Sequence, residues 1–170
     1  MQGTLVPRAP DCHVMSKDSE MKKEQIAEFI LSEYEGVISV AAWGEQSFFY
    51  NPGKQLPRGV YFATLKDQDG KNDKASNLNR QDVFRFNFGV SKATYERNLG
   101  ARPARPSAGE VVNTGHDFTR LNSLLPHPVY AWMSWVSVLN PDNETFHNIS
   151  VLLNESYSLA VKKFASRISS

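Results

Sequence analysis

Apolar side chains recur at helical spacing near both ends of the chain. The first helix is predicted from about Ser19 to Tyr34, because apolar residues at i, i+3, i+4 and i+8 share one helix face. The last helix is predicted from Asp142 or Asn143 to about Ala165. The apolar positions of this second helix are Phe146, Ile149, Leu153, Tyr157, Ala160, Val161 and Phe164. Each helix therefore has one face to bury against other elements.

Between the two helices the apolar period changes to two, which is the spacing of β-strands. Two strands, Val37–Trp43 and Gln46–Tyr50, are predicted to form a tight hairpin that turns at Gly44-Glu45. A third strand is predicted from Val60 to Lys66. The polar segment from Asp67 to Lys74 is predicted to be a solvated loop.

The cleanest strand runs from Val83 to Val90. Its three alternating phenylalanines point to one side, and Arg85 and Asn87 point to the other. We therefore expect one face of this strand to be buried under a helix.

The remaining segments complete the predicted order. A short helix is expected from its cap Ser91 to Asn98, a helical turn from Asp117 to Leu125, and a strand from Val129 to Leu139. The order predicts one α+β domain over residues 19–168. Its architecture is a single antiparallel sheet of about four or five strands, with the N- and C-terminal helices packed on one face.

Residues 1–18 lack periodicity and contain two prolines. Leu5-Val6-Pro7-Arg8 resembles a thrombin recognition sequence, and Met15 could be a native start. We interpret this stretch as a tail that is either disordered or derived from an expression vector.

Composition and charge narrow the functional classes. The chain has 19 Lys and Arg against 18 Asp and Glu, a formal net charge of +1. Because proteins that bind phosphate backbones usually carry a basic excess, nucleic acid is an unfavoured partner. Cys12 is the only cysteine, which excludes an intramolecular disulfide and a cysteine-based zinc site and suits a cytoplasmic protein.

The sequence also lacks the motifs of several other functional classes of protein. No apolar run approaches the ~20 residues that cross a bilayer, so no membrane partner is expected. The sequence contains no dinucleotide-binding glycine motif, P-loop or nucleophile elbow. No cofactor and no metal are predicted.

Six segments between residues 42 and 141 carry a family resemblance. They are Ala42-Trp43-Gly44, Phe48-Phe49-Tyr50-Asn51-Pro52, Val60-Tyr61-Phe62-Ala63-Thr64-Leu65-Lys66, Phe84-Arg85-Phe86-Asn87-Phe88-Gly89-Val90-Ser91, His127-Pro128-Val129-Tyr130 and Trp135-Val136-Ser137-Val138-Leu139-Asn140-Pro141. This set resembles an uncharacterised domain-of-unknown-function family that is common in actinobacteria. The resemblance spans about Glu20 to Lys163.

A more remote resemblance involves Tyr130 to Val138 followed by Glu155 to Lys163. These segments are similar to the end of the MmcQ/YjbR-like family, which implies a compact α+β fold; some members have been proposed to bind DNA. In that family the strand carries an Asn-Lys pair and a His just before the Trp. Here Trp132-Met133-Ser134 precedes Trp135. The missing polar and basic residues weaken the implication of DNA binding.

Two histidines are candidates for acid–base chemistry or metal binding. His116, which precedes Asp117, and His127 flank one short segment and could converge in space. Their spacing matches no metal signature, and Asp117 is explained as a helix N-cap. Structural or surface roles are favoured for both, and His127 is the better functional candidate.

The polar face of the Val83–Val90 strand is a candidate binding surface. If this face is concave, Arg85 and Asn87 could hold a carboxylate or a phosphate, since Arg presents a planar fork of donors. Lys66, at the end of the third strand, could join them. The favoured alternative is a solvated face.

Aromatic residues offer stacking surfaces for a ligand; they are Trp43, Tyr61, Tyr130, Trp132 and Trp135. Period two in the Val129–Leu139 strand puts Tyr130 and Trp132 on one face and Trp135 on the other. Both indoles cannot be core unless both faces are covered or the strand bulges. Either Trp132 lies in a ligand cleft, or a loop such as Ala101–Glu110 covers it.

Three functions stay open at this point. The favoured one is a binding module for a small ligand or a partner, through Arg85, Asn87, Trp132, Tyr130, Tyr61 and Lys66. The second is an enzyme with His127 or His116 as acid–base and Arg85 as the anchor of an anionic substrate. The third is a nucleic-acid module. Homodimerisation through a sheet face or edge is left open.

Overall fold

Six strands form one antiparallel sheet in a computed structural model of the protein, which describes residues 19–170. The order across the sheet is β1-β2-β3-β4-β6-β5. In chain order the strands are β1 Val37–Ala42, β2 Glu45–Tyr50, β3 Val60–Lys66, β4 Arg85–Gly89, β5 Leu124–Pro126 and β6 Trp135–Leu139. The α-helices of the described residues are α1 Lys23–Glu33, α2 Lys92–Leu99 and α3 Asn143–Ile168. The predicted α+β class is confirmed, with one strand more than expected.

Helices α1 and α3 cover one face of the sheet. Phe29 of α1 meets Phe146 of α3 edge to face, with ring centroids 5.2 Å apart. Phe146 also lies 6.3 Å from the ring of Phe86 on β4, whose side chain is fully buried. This aromatic layer confirms that the terminal helices share one face, and it forms the main core.

The helix ends follow their caps. Helix α1 begins at Lys23, later than the predicted start at Ser19, because the Gln25 side chain accepts the Lys22 backbone N–H at 2.7 Å and caps the helix there. Helix α3 begins as predicted, with the Asp142 carboxylate accepting the Thr145 N–H at 2.7 Å. It continues to Ile168, beyond the predicted end at Ala165.

The β1–β2 hairpin turns one residue earlier than predicted. Trp43 and Gly44 are the turn residues and have φ values of 57° and 71°, the pair of positive values of a type I′ turn. Glu45 is therefore the first residue of β2. The turn leaves the Trp43 side chain in solvent, 97% exposed.

A β-bulge in β3 changes which side chains share a face. Phe48 pairs with Ala63 and Phe49 pairs with Tyr61, so Phe62 has no partner on β2. Phe62 lies against helix-side rings, 6.3 Å from Tyr34. The extra residue thereby turns Tyr61 to the face opposite the helices, together with Thr64.

Residues 67–83 cross part of that opposite face. Leu78 in this segment is buried against Leu125 and Leu139, which form a second small core. The segment also covers β4, so Arg85 and Asn87 are 0% and 2% exposed. The expectation of a solvated polar face on β4 is therefore wrong. The β1–β2 end of the same face stays open, with Val40 53% exposed.

The predicted helical turn at Asp117–Leu125 is absent. The Asp117 carboxylate accepts the Thr119 backbone N–H at 3.0 Å and forms a local turn, after which the chain enters β5. Asp117 does act as a local cap, although no helix follows it within the described segment.

The predicted strand Val129–Leu139 is wrong in its first half. His127 Nδ1 accepts the backbone N–H groups of Val129 and Tyr130 at 3.1 and 3.0 Å. These two donors are therefore not available for the hydrogen bonds of a β-ladder. A 3-10 turn follows at Ala131–Met133, and β6 begins only at Trp135. The two-residue period that assigned faces to Tyr130 and Trp132 therefore does not apply. The interpretation of residues 1–18 as a tail lies outside the described residues.

Candidate functional site

A cavity of about 440 Å³ lies on the sheet face that is turned away from α1 and α3. Strands β2, β3 and β4 supply its floor, and the segments around Asp73 and His127 supply its sides. It brings together six of the candidate residues: Tyr61, Lys66, Arg85, Asn87, His127 and Tyr130.

Arg85 and Asp73 form an ion pair at the base of the cavity. The guanidinium donates from Nη1 to Asp73 Oδ1 at 3.0 Å and from Nη2 to Oδ2 at 2.5 Å. Nη1 also donates to Ser76 Oγ at 2.8 Å, and Nε donates to Asn87 Oδ1 at 2.8 Å. Arg85 thus holds a carboxylate of its own chain, in the bidentate geometry that guanidinium groups favour.

The charge of Asp73 is stabilised despite its burial. Burial alone would raise the pKa of this carboxyl group, but the hydrogen bonds and charge of Arg85, with the charge of Lys66, lower it to about 2. The Lys66 ammonium lies 3.4 Å from Asp73 Oδ2 and 3.7 Å from Glu45 Oε2. Lys66 therefore stands between two carboxylates without a short hydrogen bond to either.

His127 is buried, 4% exposed, and its ring is oriented by its own turn. Nδ1 accepts the two backbone N–H groups of Val129 and Tyr130, which requires a lone pair on that nitrogen. Burial first, and then the positive charges of Arg85 and Lys66, lower the pKa of the imidazole well below its usual value. The ring is therefore neutral at pH 7 and carries its proton on Nε2.

Two aromatic rings, Tyr61 and Tyr130, form a wall of the cavity. Tyr61 stacks on Trp135, with ring centroids 4.9 Å apart and an interplanar angle of 21°. Gly89 lies between these two residues in the sheet, and a Cβ atom there would come within 3.0 Å of Trp135 Nε1. The missing side chain lets the indole lie across β4 and reach Tyr61. Burial, and next the charge of Glu45, raise the pKa of the Tyr61 hydroxyl.

Two candidates lie away from this cavity. Trp132 packs against the main core, and the Arg105 guanidinium carbon lies 4.9 Å above its ring centroid. Of the two alternatives for Trp132, the structure shows the covering loop Ala101–Glu110. His116 does not line the cavity either, and its buried Nδ1 has no hydrogen-bond partner among residues 19–170.

Two acidic residues of the cavity were missed from the sequence. Asp73 belongs to the polar segment that was predicted to be a solvated loop, and Glu45 was assigned to a turn. Trp135, one of the predicted stacking residues, contacts Tyr61 and does not itself line the cavity. Nothing in the local pattern around Asp73 indicates its pairing with Arg85. Within residues 19–170, the His, Cys, Asp and Glu side chains form no group of three or more suited to a metal ion.

The sequence of this domain matches a known family model. The model of DUF6194, a family of unknown function, covers residues 21–169. The chain belongs to the DUF6194 family. No curated protein and no solved structure matches the chain. The expected membership of an uncharacterised domain family is thereby confirmed.

The DUF6194 match includes every strand, every α-helix and every residue of the cavity described above. The cavity thus lies within the part of this chain that the family model matches. None of the helices formed by residues 19–170 combines the length and the apolar composition that a membrane crossing requires.

Proposed function

We propose that this DUF6194 domain binds a small anionic ligand in the cavity between Lys66, His127 and Tyr61. The observation that carries the proposal is the pair of donors, the Lys66 ammonium and the neutral His127 ring, in a cavity with an aromatic wall. Few oriented polar groups beside aromatic side chains are the usual composition of a small-molecule site.

The Lys66 ammonium has N–H donors that are available to a ligand. Its contacts of 3.4 and 3.7 Å are longer than the ~2.8 Å of a charge-assisted hydrogen bond. An ammonium group has three donors and no acceptor, so an oxygen atom of a ligand can approach it closely.

The charge balance of the cavity favours an anion. Lys66, Lys71 and Arg85 oppose Glu45 and Asp73, which leaves an excess of one positive charge. Arg85 is already paired with Asp73, so we assign it and Asn87 to the support of the floor. The positive charge that remains for a ligand is that of Lys66 and Lys71.

The geometry favours binding over acid–base chemistry. A general base needs a free lone pair within reach of the substrate proton. The lone pair of His127 lies on Nδ1, which already accepts two backbone hydrogen bonds. We therefore assign His127 the role of a neutral hydrogen-bond donor. The remote MmcQ/YjbR-like resemblance would favour DNA, but the near-neutral charge and the missing basic residues do not support that function.

The proposal can be tested by ligand titration of the full chain. We expect at least one of benzoate, succinate and inorganic phosphate to change the tryptophan emission, because the Trp135 ring stacks on Tyr61, which lines the cavity. His127→Asn should weaken that binding by about tenfold, since the Asn oxygen can replace the Nδ1 acceptor while the Nε2 donor is lost. Lys66→Gln should weaken it at least as much.

Trp132→Phe is the matched control, because this indole lies under the Arg105 loop and outside the cavity. It should leave the affinity unchanged. The proposal fails if none of the three anions changes the emission, or if both His127→Asn and Lys66→Gln bind as the unmodified protein does.

A further inference from the structure

A second cavity of about 630 Å³ adjoins the polar one on the same face of the sheet. Alternate residues of β1 and β2 line it, and we call the set Ile38, Val40, Ala42 and Phe49 the apolar surface. These side chains point away from the helices. Within the described residues, no segment covers this surface as residues 67–83 cover β4. An uncovered apolar patch beside a polar site is a common mark of a binding surface.

The two cavities share part of their lining. Glu45, Lys66 and Gly70 line both of them. Gly70 has no side chain to separate the two spaces, and a Cβ atom there would lie 3.0 Å from Lys66 Nζ. The Lys66 ammonium therefore stands at the border between the polar cavity and the apolar surface.

From these observations we propose that the ligand is an amphipathic anion, whose acid group binds at Lys66 and whose apolar body lies on the apolar surface. This inference rests on the ligand-binding function proposed above and adds the chemical class of the ligand. Neighbouring strands are spaced by ~5 Å, so the body would extend about 10 Å from β3 to β1.

Charge and exposure support this occupant. Arg58 and Lys66 oppose only Glu45 around the second cavity, so its border also carries an excess of positive charge. At one end of the apolar surface, Trp43 also lines the second cavity and is 97% exposed. A ligand body on the apolar surface would remove Trp43 and Val40 from water, which is favourable in proportion to the apolar area covered.

The test is a titration of the full chain with linear carboxylates from acetate to decanoate, below their micelle concentrations. We expect the affinity to rise by about two- to fourfold for each added methylene group. The emission of Trp43 should shift to shorter wavelength with the long acids. That shift should be absent in Trp43→Phe.

Variants separate the two halves of the ligand. Val40→Ser should weaken decanoate by about tenfold and leave acetate unchanged, because it reduces only the apolar contact. Lys66→Gln should weaken the whole series by about tenfold, and Lys66→Arg should restore most of the affinity. Val151→Ser is the matched control, because Val151 is 69% exposed on α3, on the other side of the sheet.

Each contrary outcome has a distinct meaning. Equal affinity for acetate and decanoate, still lowered by Lys66→Gln, would overturn the amphipathic class and leave the ligand-binding function intact. Equal binding of decyltrimethylammonium and decanoate would overturn the anionic part. If Val40→Ser dissociates a dimer without changing any affinity, the apolar surface is an interface between copies and the inference is wrong. No binding by any carboxylate, together with no binding by inorganic phosphate, would overturn both proposals.

Discussion

The two faces of strand β4 are buried to the same degree by different means. Phe86 and Phe88, on the helix side, are both 0% exposed and lie in a layer of aromatic rings. Arg85 and Asn87, on the other side, are 0% and 2% exposed and lie in a hydrogen-bond network with Asp73. Burial alone therefore does not distinguish the structural face from the candidate functional face.

The difference lies in what each face requires of its partners. Apolar packing tolerates substitution roughly in proportion to the volume lost. A buried charge network is favourable only when every member is satisfied, and removal of one member leaves another charge uncompensated. The polar network thus holds Lys66 and His127 in defined positions. Its stability depends on every residue that takes part in it.

The largest losses of stability are expected for Arg85 and Phe86, one residue on each face of β4. We expect Arg85→Met to lower the free energy of unfolding by about 3–5 kcal/mol, because Asp73 is left buried without its partner. Phe86→Ala on the other face should cost a similar ~3–5 kcal/mol through the cavity it creates. Urea denaturation at pH 7 measures both values.

A second substitution separates the two mechanisms. Asp73→Asn should restore part of the stability of the Arg85→Met variant, because it removes the uncompensated charge. It should restore nothing to Phe86→Ala. Equal effects of Asp73→Asn in both backgrounds would contradict the electrostatic account of the polar face.

An intermediate loss of stability is expected at Gly89, where the Trp135 side chain lies across β4 on the polar face. In Gly89→Ala the new Cβ would lie 3.0 Å from Nε1 and 3.1 Å from Cε2 of Trp135. We expect a loss of about 1–3 kcal/mol, as for other insertions into packed regions, and a changed Trp135 emission as the indole leaves Tyr61. In a Trp135→Phe background the same substitution should cost much less. A full cost in that background would show that the indole is not what the methyl group displaces.

The smallest effect should be a pH dependence that only the polar face has. Because the pKa of His127 is lowered in the folded protein, the unfolded chain takes up a proton below about pH 6.5 while the folded protein does not. Stability contributed by this group is therefore complete above pH 6.5 and declines as the pH falls. The expected loss approaches 1.4 kcal/mol for one pH unit.

Urea denaturation at pH 7.5, 6.5 and 5.5 measures this slope. It should be reduced in His127→Asn, which does not titrate, and retained in His147→Asn, whose residue is exposed on α3. An unchanged slope in the first variant would show that folding does not lower the pKa of His127. At lower pH a further decline should follow, from the ordinary Asp pKa of 3.8 towards about 2, as Asp73 loses its charge.

The regular elements could be predicted from the sequence because their signals are local. The alternation in β4 placed Arg85 and Asn87 together and opposite the phenylalanines, and the structure agrees. Strand β3 begins and ends at the predicted residues Val60 and Lys66. These features depend on neighbours one or two positions away, which a periodic pattern records.

The features that were missed depend on distant or irregular contacts. Asp73 pairs with Arg85 across 12 positions, from a loop whose polar composition indicates only exposure to water. The turn at Ala131–Met133 depends on the His127 side chain, which takes up two backbone donors that a strand would need. Period two fails wherever such a side chain competes with the ladder, and Trp132 was misassigned for this reason.

One extra residue in β3 determines the composition of both sides of the sheet. Phe62 has no partner on β2. The alternation of side chains between the two faces is therefore reversed from one side of the bulge to the other. Without that insertion the phenol of Tyr61 would enter the dry aromatic layer, and Trp135 would have no ring to stack on. The position of the aromatic wall thus depends on the number of residues in β3. A deletion at this point would move the side chains before it to the opposite face of the sheet, although none of these side chains would change chemically.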